Sequence, residues 1–456
     1  MRERILLFVI LSLLGVFLYI FQNHCNTAVG FLILCACMVT YGLYSIAATK
    51  YRKRKLKKHP LVINENYKPF VTIMVPAHNE EYVIANTVEN IRAIDYPNFE
   101  IIVIDDRSTD NTASVIKDLE SKFENVKALI REQGAFPGKS AVLNDALVLA
   151  KGDAILVFDA DATVEPDFLN KLIPHLEPAD VGAVQARKII RNKDYNFLTR
   201  CQNNEYTLDT HFQAGRDAVK GAVELRGNGE LIKRTALEDI GGWNNYTITD
   251  DLDMSTRLHI KGWDVRFCPE ACVYEEGIIY VLPLFRQRRR WLEGTIRRYL
   301  EYFAEAIKSE KMSLRARLDM AIYITQFIMP LWFMMEVVFR VVRLVTDKIC
   351  PSAYSLHNVL WSSLVIASVV GLGFFSAIRY ALRRYDAVPR LKALKQALET
   401  TFYMLIIWFP MELFICGKIL FKEKDMNWGK TAHGLVLEEQ KRHESEIANE
   451  KELQEV

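Results

Sequence analysis

Residues 154–166, AILVFDADATVEP, decide the fold. A short unbroken apolar run closed by acids and turn-formers reads as a buried strand, here ending at Asp159 and Asp161. Two earlier stretches share the design: PFVTIMVPAHNE at 69–80 and EIIVIDDRSTDNT at 100–112. Helical patterns at 80–94 and 111–121 lie between them. Strands alternating with helices predict an α/β domain whose sheet is parallel, with right-handed crossovers. Ligands of such sheets gather at the carboxyl ends of the strands. Those ends carry His78-Asn79-Glu80, Asp105-Asp106 and Asp159-Ala160-Asp161.

Outward from this core the composition changes. The chain has 456 residues, 50% hydrophobic and 25% charged, with a mean hydropathy of +0.02. An ordinary charge fraction beside a high mean indicates two kinds of sequence. Disorder is excluded for the bulk by 24 Phe, 19 Tyr and 7 Trp. A net charge of +2 excludes a nucleic-acid binder working by bulk electrostatics. The eight Cys include no C-x-x-C pair, so neither a disulfide scaffold nor a zinc site is expected. Cys35, Cys37, Cys268 and Cys272 read as free thiols in reducing surroundings.

Residues 5–21 and 28–48 are uncharged and apolar, and a spanning helix needs about 20 such residues. They predict a transmembrane hairpin over 1–50. A cleaved signal peptide would suit Arg2 and Arg4, but not an apolar run this long followed at once by a second. The basic stretch YRKRKLKK (51–58) opens a linker over 51–69 and places the chain beyond it in the cytoplasm. The catalytic domain is expected over 70–282, amphipathic interface helices over 283–318, and a membrane region over 319–421. That region holds apolar runs near 320–340, 358–380 and 401–421. Three crossings would put the Lys-bearing tail (422–456) outside, against the charge rule. Either 401–421 turns back around Pro410 as a re-entrant segment, or one run does not span; a cytoplasmic tail is expected. Glu336 and Arg340, four residues apart, read as a pair facing other helices.

Several constellations carry chemistry. Asp159 and Asp161 are hard oxygen ligands suited to Mg²⁺ or Mn²⁺ bridged to phosphates. Gly134–Ser140 (GAFPGKS) falls one residue short of a P-loop, which it therefore is not; Lys139 remains a candidate diphosphate contact. Thr249-Asp250-Asp251-Leu252-Asp253 precedes a helix, and three acids exceed what capping needs. A carboxylate there suits a general base for a sugar or lipid hydroxyl. In Gln287-Arg288-Arg289-Arg290-Trp291 the guanidinium groups suit a departing diphosphate. Farther along, Arg297 and Arg298 read as an interfacial contact with anionic lipids.

In this order the elements resemble the membrane-bound family-2 glycosyltransferases: P-A-H-N-E at 76–80, Asp105-Asp106, D-A-D at 159–161, T-D-D at 249–251, and Q-x-x-R-W at 287–291. The resemblance covers residues 70–300 and implies a GT-A fold inserted between transmembrane helices. It further implies a UDP-sugar donor, with Ala77 and Glu80 beside it, Asp105 or Asp106 at the uridine, Asp161 and Asp159 on the metal, and Asp159 near the ribose or sugar. Asp251 would be the base; Gln287, Arg290 and Trp291 would hold diphosphate and acceptor. Processive synthases usually have T-E-D where this chain has Asp250, and D-D-G-S where it has Arg107. The segments 185–192, 224–244, 247–259 and 275–277, with W-x-K-T-x-H at 428–433, look closer to cyanobacterial-type diacylglycerol β-glucosyltransferases.

That reading expects single-displacement inversion, with diacylglycerol as acceptor in an integral protein of the cell membrane. A processive polysaccharide synthase with a glycan acceptor is the alternative. A non-catalytic sugar-nucleotide sensor would keep the uridine acids but need not keep both the base and Q-x-x-R-W, and this chain has both.

Overall fold

The computed structural model describes residues 2–24, 27–58, 64–347, 356–422 and 424. Two helices, α1 (Arg2–His24) and α2 (Thr27–Lys58), precede an α/β body. The body opens with β1 (Val71–Ala77), α3 (Ile84–Arg92), β2 (Phe99–Asp105), α4 (Thr112–Lys122), β3 (Val126–Ile130), α5 (Lys139–Leu147) and β4 (Ala154–Val157). It continues through β5 (Thr163–Val164), α6 (Phe168–Leu176), β6 (Val181–Ile190), α7 (Phe197–Ala218), β7 (Glu230–Lys233), α8 (Arg234–Asp239), α9 (Asp250–Lys261) and β8 (Asp264–Glu275). Four helices complete the described chain: α10 (Val281–Lys308), α11 (Leu314–Asp347), α12 (Leu356–Tyr385) and α13 (Arg390–Phe421).

The sheet order is β3-β2-β1-β4-β7-β6-β8-β5. Every residue of β1 is buried, which explains why it reads as one apolar run rather than an alternation. Val71, Ile73 and Val75 join the core beneath α3 and α6, while Met74 joins the opposite core with Val142 and Leu143 of α5. The parallel expectation holds for β3, β2, β1 and β4. Beyond β4 the sheet is mixed, because β7 runs antiparallel to both β4 and β6, and β5 runs antiparallel to β8. Between β6 and β7 the chain travels the 22-residue α7 and returns in the reverse sense.

The basic stretch 51–58 is the end of α2 rather than a linker, and its Arg52 pairs with Asp217 of α7. Arg297 and Arg298 do not face lipid. They are 4% and 2% exposed, because Arg297 pairs with Glu293 and Glu3 and Arg298 with Glu224. Among the described residues one helix, α13, is long and apolar enough to cross a membrane. It runs unbroken through Pro410, so no turn occurs there. Cys268 and Cys272 are free thiols, as are Cys201 and Cys416. The side chains of Cys35, Cys37, Glu336 and Arg340, and the whole 428–433 motif, lie outside what the structure describes.

Candidate active site

Strand order reverses at β1, which lies between β2 and β4, and the loops after β1 and β2 are joined there. Asn79, in the left-handed region at φ 57°, accepts from Thr109 N–H at 2.7 Å, and Glu80 N–H donates to Thr112 Oγ1 at 2.8 Å. A cavity of about 450 Å³ opens over the strand ends. Glu80, Lys139, Asp159, Asp161, Asp251, Gln287, Arg290 and Trp291 all line it, so residues 80 to 291 of the sequence converge on one space.

Ala77, Asp105 and Asp106 do not line it. Ala77 is a buried strand residue. Asp106 stands behind His78, whose Nδ1 lies 2.7 Å from the Asp106 carbonyl. Its carboxylate is held by Arg107 at 2.8 Å and Arg131 at 2.5 Å. Asp105 accepts from Ser108 N–H at 3.3 Å, while its buried Oδ1 has no hydrogen-bond partner among the described residues. The two neighbouring acids therefore differ in what remains free on them.

On the cavity wall, Lys139 opens α5 and donates to Asp159 Oδ1 at 2.6 Å and to the Gly227 carbonyl at 2.8 Å. Burial opposes its charge, but Asp159, Asp250 and Glu230 outweigh it and raise its pKa. The acids at the start of α9 divide their work. Asp253 is consumed by structure, accepting from Arg257 at 2.6 Å and from the Tyr302 hydroxyl at 2.7 Å. Asp250 and Asp251 face the cavity. Thr249, the residue before α9, makes no capping bond through its side chain. Burial first, then Asp250, push Asp251 up to about 6. Gly227, at φ 74°, passes so close that a Cβ there would sit 3.3 Å from Asp251 Oδ2. Its N–H donates to Glu230, whose carboxyl burial and Asp250 push up to about 8.

Gln287, Arg290 and Trp291 stand at i, i+3 and i+4 on α10, one helical face turned to the cavity. Arg288 points elsewhere and pairs with Glu205 at 3.1 Å. Close packing sets the approach of α10: a Cβ on Gly294 would fall 2.4 Å from Thr249 Cγ2. Burial lowers the pKa of Arg290, opposed by Asp250, Asp251 and Asp159.

Sequence reasoning assigned no role to Lys188, Tyr206 or Glu275, which also line the cavity. Lys188 pairs with Glu275 at 2.9 Å and lies 4.9 Å from the Tyr206 ring and 5.7 Å from the Trp291 ring. Glu275 ends β8 and could have been found by the strand-end rule that found Asp105 and Asp159, had β8 been recognised. Tyr323 and Phe327 of α11 and Trp408 of α13 bring aromatic surface to the same cavity. Nothing in an apolar run marks such a residue in advance.

Asp159 and Asp161 offer hard carboxylate oxygens, and Asp161 Oδ2 is oriented by the Glu276 N–H at 3.0 Å. Among the described residues no three His, Cys, Asp or Glu side chains group to hold an ion unaided. Such a donor set fits a divalent cation whose shell is completed by substrate phosphates, the usual manner for Mg²⁺.

Residues 69–294 match the family described as glycosyltransferase-like family 2. The β-monoglucosyldiacylglycerol synthase of Trichormus variabilis is 36% identical over 397 residues, covering 86% of this chain and 81% of that protein. The poly-β-1,6-N-acetyl-D-glucosamine synthase of Staphylococcus epidermidis is 29% identical over 246 residues, 54% of this chain and 59% of its own. A mannosyltransferase from Pyrobaculum calidifontis, solved in complex with GDP-Man and Mn²⁺, has a TM-score of 0.52 at 22% identity. It covers 82% of this chain and 99% of its own, a likeness of fold alone.

Proposed function

Since this chain belongs to glycosyltransferase family 2, we propose that it transfers glucose from UDP-glucose to the hydroxyl of diacylglycerol at a membrane, with inversion. One observation carries this reading. A single cavity has the Asp159/Asp161 and Asp250/Asp251 carboxylates with Arg290 on its wall, and Tyr323, Phe327 and Trp408 as well. An acceptor that is a polar hydroxyl on an apolar body needs both kinds of wall. The similarity to the Trichormus synthase also extends well past the catalytic body, whereas the match to the polymer synthase covers about half of the chain.

Asp251 is the base. Raised toward neutrality, it is matched to taking the acceptor hydroxyl's proton as that oxygen attacks the anomeric carbon. Asp105, with its unpaired buried oxygen, supports a uracil contact better than Asp106, which two arginines hold. Arg290, Gln287 and Lys139 would bind the diphosphate, and charge on its leaving oxygen is met by the guanidinium. Mg²⁺ or Mn²⁺ held by Asp161 and Asp159 would neutralise further diphosphate charge. The basic end of α2 supports a cytoplasmic catalytic body, and the apolar runs of α1, α2, α11 and α12 support crossings of the bilayer by an integral membrane protein.

The purified enzyme, given UDP-[¹⁴C]glucose and diacylglycerol, should form one organic-extractable glycolipid. A high-molecular-weight product would overturn the reading in favour of a polysaccharide synthase. No product from either acceptor, with UDP-glucose bound, would favour a sensor.

A further inference from the structure

We propose that α13, apolar enough to cross the bilayer, does not cross it. It lies in the cytoplasmic leaflet with both ends on the side of the catalytic body, and it walls the cavity toward the membrane. The proposal rests on the membrane placement of the proposed function.

The first half of α13 is fastened to α7. Ala393 and Ala397 pack with Leu208, Arg200 pairs with Glu399 at 3.3 Å, and Asn204 Nδ2 donates to Thr400 Oγ1 at 2.9 Å. Midway, the Tyr403 hydroxyl donates to Glu205 at 3.0 Å. The second half is fastened to α10. Met411, Ile415 and Ile419 pack with Leu292, Ile296 and Leu300, and Lys418 Nζ donates to Glu293 at 2.5 Å. From Ala393 to Ile419 the helix covers roughly 39 Å at about 1.5 Å per residue. A helix crossing a hydrocarbon core of about 30 Å leaves the cytoplasmic domain on that path and does not meet it again. α13 instead passes from α7 to α10, the helix whose Gln287, Arg290 and Trp291 line the cavity, while its middle packs through Phe409 on Trp332 of α11 and Val370 of α12.

Its neighbours agree. The N-terminal end packs on Ile378 and Leu382, next to the basic end of α12. The C-terminal end is held at Glu293, one turn from Arg297, which pairs with Glu3 at the start of α1. Both are ends that the charge rule places in the cytoplasm. Opposite the fastened face, Leu398, Phe402, Ile406 and Phe414 are more than half exposed, an apolar stripe at four-residue spacing with Pro410 in line. A water-facing stripe of this kind would be costly, and a leaflet interior covers it. Trp408 reaches the cavity from the same helix. Four crossings remain, which returns the tail to the cytoplasm and removes the conflict with the charge rule.

The test uses Lys392→Cys, Ile406→Cys and Lys422→Cys in the full chain, each retaining glycosyl transfer, with a membrane-impermeant maleimide. Labelling is read above that of the unmutated chain. Positions 392 and 422 should label in inverted vesicles and not in spheroplasts, and position 406 in neither until detergent is added. Labelling of 422 in spheroplasts would show a crossing and overturn the proposal. Labelling of 406 in sealed inverted vesicles would put the helix in water and overturn it equally. Release of the whole chain by alkaline carbonate would instead refute the membrane placement, a distinct result.

Discussion

At Asp251, burial and a neighbouring acid do what no single sequence motif can state: they move a carboxyl to about 6. Asp251→Asn should lower kcat by about 10²–10⁴-fold, while calorimetry still detects UDP binding; wild-type turnover would remove Asp251 from the mechanism. Since the base must be ionised, kcat/KM should fall as pH drops through about 6. Glu230, pushed up to about 8, binds a proton in the folded protein that the unfolded chain gives up near the ordinary glutamate value. Its contribution therefore weakens the fold as pH rises from about 4.5 to 8. Glu230→Gln should flatten that slope in thermal unfolding scans. Asp251 was legible because three acids opened one helix. That Asp253 would be spent on Arg257 and Tyr302 was not, since both partners arrive from tertiary packing. Lys188 was hidden for a similar reason: its partner Glu275 is 87 residues away, on a strand whose alternation is broken around Cys268-Pro269-Glu270.

Among the elements, α10 decides most. Its Gln287, Arg290 and Trp291 could be assigned to one face from spacing alone, whereas the approach that brings the face to the cavity depends on Gly294. Gly294→Ala would force α10 from Thr249 at a cost of about 1–3 kcal/mol. It should lower kcat more than it raises the KM for UDP-glucose; an unchanged kcat would show that the α10–α9 distance is immaterial. The basic character of α10 suggested lipid contact for Arg297 and Arg298, but charge on an amphipathic helix does not reveal which face is inside. Glu224, Glu293 and Glu3 supply the counter-charges that make burial tolerable.

Across the molecule, β1, β2 and β4 of the parallel half were readable because they are buried on both faces and lead into acids, whereas β3, mostly half-buried and closed by no acid, was not. The mixed half was not, because β6, β7 and β8 pair across long intervals and carry polar residues inward, Gln185, Glu230 and Glu275 among them. Apolar runs announced the flanking helices but could not announce that Trp408 and Phe327 would reach the catalytic cavity. Trp408→Ala should raise the KM for diacylglycerol while leaving that for UDP-glucose unchanged, measured in mixed micelles; equal effects on both would make Trp408 a packing residue only. The two-natured cavity also bears on how turnover ends. A spent nucleotide is soluble and departs into water, but a glycosylated lipid has no reason to leave the bilayer and must slip sideways among its neighbours. Egress of the second product then depends on the fluidity of the surrounding lipid, so stiffening the vesicle should slow steady-state turnover while sparing the first catalytic cycle.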